Sequence, residues 1–172
     1  MAKTKVTIPS MIDDNEPLLR AISTPSCLDK ENRVTHLAFR LRHDEDGLSL
    51  SRLLYEELKS FLKRAFRFKF SFLSPEDVTA GAVELHAHEV KKLDEHIILQ
   101  ASPNRHNPAH ASIVFKNQDG TNYVGVNTTD PVDSSILGYE MALASIVQKI
   151  YDREGKVIWQ VETNLKEKDT DE

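Results

Sequence analysis

The chain has 172 residues, with 22 Lys and Arg against 27 Asp and Glu and a net charge of −5, which argues against a protein coated by nucleic acid over its whole surface. Any basic site must be local. Cys27, the single cysteine, has no partner for an internal disulfide, and no stretch reaches the apolar length of a signal core or membrane span, so a reduced, cytoplasmic setting is expected.

This length suits one α+β domain over residues 1–161, built on a mostly antiparallel mixed sheet with two longer helices. Residues 162–172 are too polar to offset their ordering entropy and are expected to form a disordered tail. In chain order, residues 17–22 read as a strand, and 34–41 as a half-buried strand with Leu37, Phe39 and Leu41 on one face. Ser49 or Ser51 is placed to cap a helix whose stripe is Leu50, Leu53, Leu54, Leu58, Phe61, Leu62 and Ala65. Phe66, Phe68, Phe70 and Phe72 then alternate with polar residues, the period of a strand. Ser74-Pro75-Glu76-Asp77 looks like a helix opening that Gly81 keeps short. Val83, Leu85 and Ala87 form a strand, Val90 and Leu93 pin one helical turn, and 97–101 is a strand again. Asp119-Gly120 predicts a hairpin between 111–116 and 123–127. Asp133 or Ser134 caps a second long helix through Leu137, Met141, Ala144, Val147, Ile150 and Tyr151, and Val157, Trp159 and Val161 close the chain as a strand.

The most unusual chemistry lies in residues 102–115, where two histidines, two asparagines and an arginine surround two prolines. Asn107-Pro108 predicts one capped helical turn, after which Ala111, Ile113 and Phe115 face one way and His110, Ser112 and Val114 the other. His106, Asn107, His110 and Ser112 are therefore the candidate binding residues, on a loop leaving a rigid strand. The competing expectation is that the His110 ring holds the loop through a hydrogen bond to a loop carbonyl or side chain.

Other chemistries find less support. The seven histidines lack metal spacing, although His86 and His88 lie two apart on an expected strand, and neither a phosphate loop nor a dinucleotide fingerprint occurs. No cofactor or metal is expected. Cys27 sits in no nucleophile signature. Residues 59–72 interleave cations with phenylalanines, making Lys63, Arg64, Arg67 and Lys69 candidates for nucleic acid. Against this, the phenylalanines are expected to face inward as core, with the cations on a wet face.

Leu19-Arg20-Ala21, Ala38-Phe39, Gly47-Leu48-Ser49-Leu50-Ser51 and Asn107-Pro108-Ala109-His110-Ala111 together resemble a loosely defined group of small bacterial proteins, over residues 17–115. The resemblance implies a small intracellular α+β protein encoded beside partner proteins. The order of a strand arginine, a strand serine and a distal polar residue is also similar to the ADP-ribosyltransferase plan, which implies a nicotinamide dinucleotide substrate, although the plan's distal glutamate is not identifiable here. The leading functional expectation is a non-enzymatic interaction protein, a subunit or accessory factor with a protein partner and no membrane. The alternatives are a small nucleotide-using enzyme built on Arg20, Ser49 and His110, and a nucleic-acid-binding module.

Overall fold

The structure, a computed structural model, describes residues 7–162. The tail expected at 162–172 lies, apart from Glu162, outside the described residues. Seven strands, β1 (Pro17–Thr24), β2 (Leu48–Arg52), β3 (Val78–His86), β4 (Ile97–Ala101), β5 (His110–Phe115), β6 (Lys149–Tyr151) and β7 (Val157–Gln160), form one antiparallel sheet in the order β4-β5-β2-β1-β3-β6-β7. Two longer helices, α1 (Leu58–Phe68) and α3 (Ser134–Ser145), accompany a short α2 (Ala87–Lys91). The expected α+β architecture is thus present.

Strand alternation divides the core into two layers. Leu18 and Ile22 of β1 join Val83, Leu85 and Ile150 under Phe39, Ile136, Leu143 and Val147, whereas Leu19 and Ala21 join Ala82 and Tyr151 under Phe61, Leu62 and Ala65 of α1. The α1 stripe runs at offsets of three and four, and burying Phe61 or Leu62 contributes about 1.5–3 kcal/mol each. Two bidentate ion pairs, one buried and one part-buried, are set into this core. Arg52 holds Glu16 at 2.6 and 2.7 Å, and Arg40 holds Glu140 at 2.8 and 2.9 Å.

Several elements differ from the sequence reading. Residues 34–41 form not a strand but a 3-10 helix, His36–Phe39, because Ala38 and Phe39, adjacent in sequence, are both buried. Leu50 belongs to β2 rather than to a helix. Leu48 and Leu50 face the core with Ser49 between them exposed, and the helix starts only at Leu58, after Glu57, which makes no side-chain cap. The phenylalanine alternation is not a strand either. Helix α1 continues to Phe68 and is ended by Lys69 at φ 53°, with Ser71 at φ 63° just beyond. Phe66 and Phe68 are 58% and 57% exposed, so the expectation that they face inward fails.

No helix opens at Ser74. Asp77 instead accepts from the amides of Ser26, Leu73 and Ser74, closing a turn, and β3 begins at Val78. Gly81 lies within that strand, where a Cβ would fall 1.8 Å from the Tyr151 carbonyl oxygen of β6. Ala87 opens α2 instead of ending a strand, which separates His86 from His88. The Asp119-Gly120 turn forms, with Gly120 at φ 84°, but 123–127 adds no strand beyond the Lys116–Asn122 bridge. The second helix has the expected Asp133 cap, accepting from the Ser135 amide at 2.8 Å, yet stops at Ser145. Ile150 and Tyr151 are then drawn into the sheet by pairing with β3, and Met141 is exposed.

Candidate functional site

The site begins with a gap in the sheet. Strand β1 pairs with β3 along its whole length but with β2 only at Leu18↔Arg52 and Leu19↔Ser51. Arg20 is the next residue. Its side chain fills the opening between the two strands, with Nε donating to the Ala38 carbonyl at 2.6 Å and Nη1 to the Ser49 carbonyl at 3.0 Å. The residue is 5% exposed, and among the described residues no carboxylate lies within ion-pair distance of it. Desolvation pushes its pKa down to about 10. A buried cation that donates only to carbonyls is costly; Glu45, which lines the same cleft, offsets part of that cost without pairing with it, and further negative charge is still favoured beside the guanidinium.

Arg20 lines a cleft of about 300 Å³ together with Ser49, Arg42, Glu45, Arg64, Asn104, His106, Asn107 and His110 on its polar side. Phe61, Phe68 and Phe70 provide an aromatic side. The other two arginines are already matched. Arg42 pairs with Glu45, and Arg64 pairs with Glu56 at 2.6 Å. Glu56 also accepts from the Ser51 hydroxyl, which in turn accepts from Asn107 Nδ2 at 3.3 Å, so β2, α1 and the histidine loop are joined below the cleft. Ser71, whose left-handed backbone re-aims the chain after α1, offers its carbonyl to the Ser23 hydroxyl at 3.2 Å. This hydrogen bond holds a strained conformation at the cleft wall.

Asn107 turns the histidine loop as the sequence predicts. Its Oδ1 accepts from the Ala109 amide at 2.9 Å and its carbonyl from the His110 amide at 3.1 Å. His110 then opens β5, opposite Ser51. Its Nδ1 lies 2.9 Å from the Ser102 carbonyl and 2.8 Å from the Ser102 hydroxyl. A carbonyl only accepts, so Nδ1 carries the proton, and burial, with Arg64 nearby, holds the ring's pKa below its ordinary 6.5. Nε2 is therefore left unprotonated, without a protein partner among the described residues, on a ring that lines the cleft. The expected loop-holding bond exists, and the other nitrogen stays available.

The cleft thus gathers Arg20, Ser49, His106, Asn107 and His110 from strands and a loop far apart in sequence. Ser112 is not among its lining residues. Its hydroxyl bonds Ser102 at 2.6 Å and positions His110 indirectly. Of the nucleic-acid candidates, Arg64 lines the cleft, Lys63 and Arg67 are exposed on α1, and Lys69 caps it. Arg42, Glu45, Ser71 and Asn104 are lining residues that the sequence reading does not assign to a site, and Phe61, Phe68 and Phe70 enter it only as part of the basic-aromatic run. Only the charged turn around Arg42 and the basic-aromatic run could have flagged any of them.

Cys27 is fully buried beside Ser23, with its thiol pKa pushed up by burial. Among the described residues no three His, Cys, Asp or Glu side chains are placed to hold a metal, and no helix is long and apolar enough to cross a membrane.

Fold and site together define an α+β domain with an arginine-based cleft in a split antiparallel sheet. No protein-family model, curated protein or solved structure matches the chain.

Proposed function

We propose that the cleft binds a small anionic molecule of the nucleotide class, its phosphate beside Arg20 and its flat ring among Phe61, Phe68 and Phe70. The observation that carries this reading is the buried Arg20 guanidinium, with no carboxylate at ion-pair distance among the described residues, on the wall of a cleft that also has an aromatic side. Guanidinium suits phosphate because it donates in a planar fork, and aromatic rings accept a base by stacking. The volume lies at the lower end of small-molecule sites, which favours a ligand of nucleoside-phosphate size or a larger one held partly outside. In the enzymatic form of the reading, Arg20 orients the substrate, Ser49 lines its path and the His110 Nε2 lone pair takes a proton. A thermal-shift series with ADP, nicotinamide dinucleotide and pyrophosphate tests the binding. A ligand selective for the native state at a hundredfold excess over Kd stabilises by about 2.7 kcal/mol, or roughly 5–10 °C here. An unchanged melting temperature with all three contradicts the proposal.

A protein-binding role is supported by a separate observation. Strand β7 ends the sheet with all four residues exposed, Trp159 among them, and apolar edge strands invite pairing. Lys156 and Glu162 stand three residues either side of Trp159, so a second copy paired antiparallel about Trp159 sets each lysine opposite a glutamate. Light scattering should then give a dimer that Trp159→Glu converts to monomer. A monomeric wild type at high concentration rules the pairing out.

A further inference from the structure

Helix α1 separates the cleft from a second depression of about 390 Å³, lined by Lys59, Leu62, Lys63, Phe66, Thr79, Arg153 and Glu154. Between Leu58 and Lys69 the chain carries five cations and no acid, within a protein of net charge −5. Lys59, Lys63 and Arg67 follow one another at i, i+4 and i+8 along the exposed face. Like charges at this spacing destabilise a helix, and a merely solvated face would intersperse acids. Among the described residues, Arg64 alone of the five has a carboxylate partner, Glu56.

The aromatic residues at the two borders of this face do not serve the core either. Phe66 and Phe68 project into solvent instead of the core, each beside a cation: Arg153 lies 4.9 Å from the Phe66 ring centre and Arg67 5.3 Å from that of Phe68. Phe68 also stacks on Phe70 at 6.0 Å with the rings 17° apart, and both line the cleft. The rings therefore flank the basic face of α1, Phe68 at the cleft edge and Phe66 on the side of the second depression. Exposed rings alternating with cations are the chemistry that takes up the bases and phosphates of a single strand, whose bases are free to stack.

We propose that the outer face of α1 and the turn between β6 and β7 bind single-stranded nucleic acid, with one nucleotide of the strand seated in the cleft. The assignment of that nucleotide rests on the cleft reading above; the α1 surface stands on its own charges and rings. Lys59, Lys63, Arg67 and Arg153 receive phosphates, and Phe66 and Phe68 receive bases.

Fluorescence anisotropy with labelled DNA and RNA single strands of two, four, eight and twelve nucleotides tests this, with ADP binding measured in parallel. Affinity should rise from two to about eight nucleotides, and log K should fall by about 0.7 per phosphate contact for each tenfold rise in salt. Lys63→Glu combined with Phe66→Ala should weaken binding of the longer strands at least tenfold and leave ADP binding unchanged. Both positions are exposed, so the fold should survive, and an unaltered melting temperature verifies it. Strands that bind no more tightly than ADP, or bind the double variant equally well, overturn the α1 assignment and leave the cleft reading standing. Strand binding that the variant abolishes, in a protein that does not bind ADP, sustains the α1 surface and overturns the cleft reading instead.

Discussion

Arg20 of β1 donates to the Ser49 carbonyl of β2 at the level where the two strands have stopped pairing, so a side chain stands where backbone hydrogen bonds would otherwise run. Arg20→Lys tests how far geometry, beyond charge, matters there. Lysine cannot serve the Ala38 and Ser49 carbonyls with a planar fork, and one buried acceptor left unpaired costs about 1–3 kcal/mol. A lysine desolvated in the same place has its folded pKa depressed below its unfolded value. The unfolded chain then binds more protons between the two values, and stability rises with pH. Urea denaturation should show Arg20→Lys recovering stability from pH 7 to 9.5 relative to wild type; a pH-independent deficit contradicts this.

His110 should be found as the Nδ1–H tautomer. Its folded pKa is depressed by burial, so its contribution to stability is complete above pH 6.5 and is lost as pH falls through the folded value. Nitrogen-15 NMR of the ring reads both properties directly. A ring protonated at Nε2, or titrating above 6.5, would remove the free lone pair from the cleft.

The Arg40–Glu140 pair makes a different forecast. Burial raises the Glu140 pKa and the Arg40 hydrogen bonds work against that rise. Removing the arginine leaves a carboxylate that is 1% exposed without its partner, so Arg40→Met should cost about 3–5 kcal/mol at pH 7.5. The deficit should shrink towards pH 5, because the folded state takes up the proton first, and Glu140→Leu added to Arg40→Met should restore much of the loss. A deficit constant with pH would show that the carboxylate is not the source.

Gly81→Ala should part β3 from β6. The new Cβ would overlap the Tyr151 carbonyl, and φ of 150° is itself strained for alanine, a combined cost of about 3 kcal/mol or more. Tyr151 donates from its hydroxyl to Glu84 at 2.5 Å, and Trp159 pairs with Ile150, so both should report the change. Trp159, the only tryptophan, should shift its emission, and a variant as stable as wild type would contradict the close approach.

Where a short-range period and burial agree, the sequence is legible: 97–101, the Asn107 turn and the Asp133 cap follow from local pattern, whereas α2 begins at Ala87, inside an expected strand. It misleads where a periodic run crosses an element boundary. Leu50, Leu53, Leu54 and Leu58 keep helical spacing across a strand, a turn and a helix start, because pairing of β2 with β5 overrides the local preference. The alternating phenylalanines mislead similarly, since α1 consumes the first two and two left-handed residues redirect the others. Arg20, Ser49 and His110 are grouped in the sequence by their likeness to the ADP-ribosyltransferase plan, and all three line the cleft, but the shape of that cleft is not legible there. That depends on where β1 and β2 separate, which no local pattern encodes.

Calorimetric titration of ADP tests the central claim most directly, using wild type and an Arg20→Met variant shown by circular dichroism to be folded. Wild type should bind at one site, and the variant roughly 10- to 150-fold more weakly, the value of a charge-assisted hydrogen bond of about 1.5–3 kcal/mol. Absence of binding to wild type, or equal affinity in the two proteins, would contradict it.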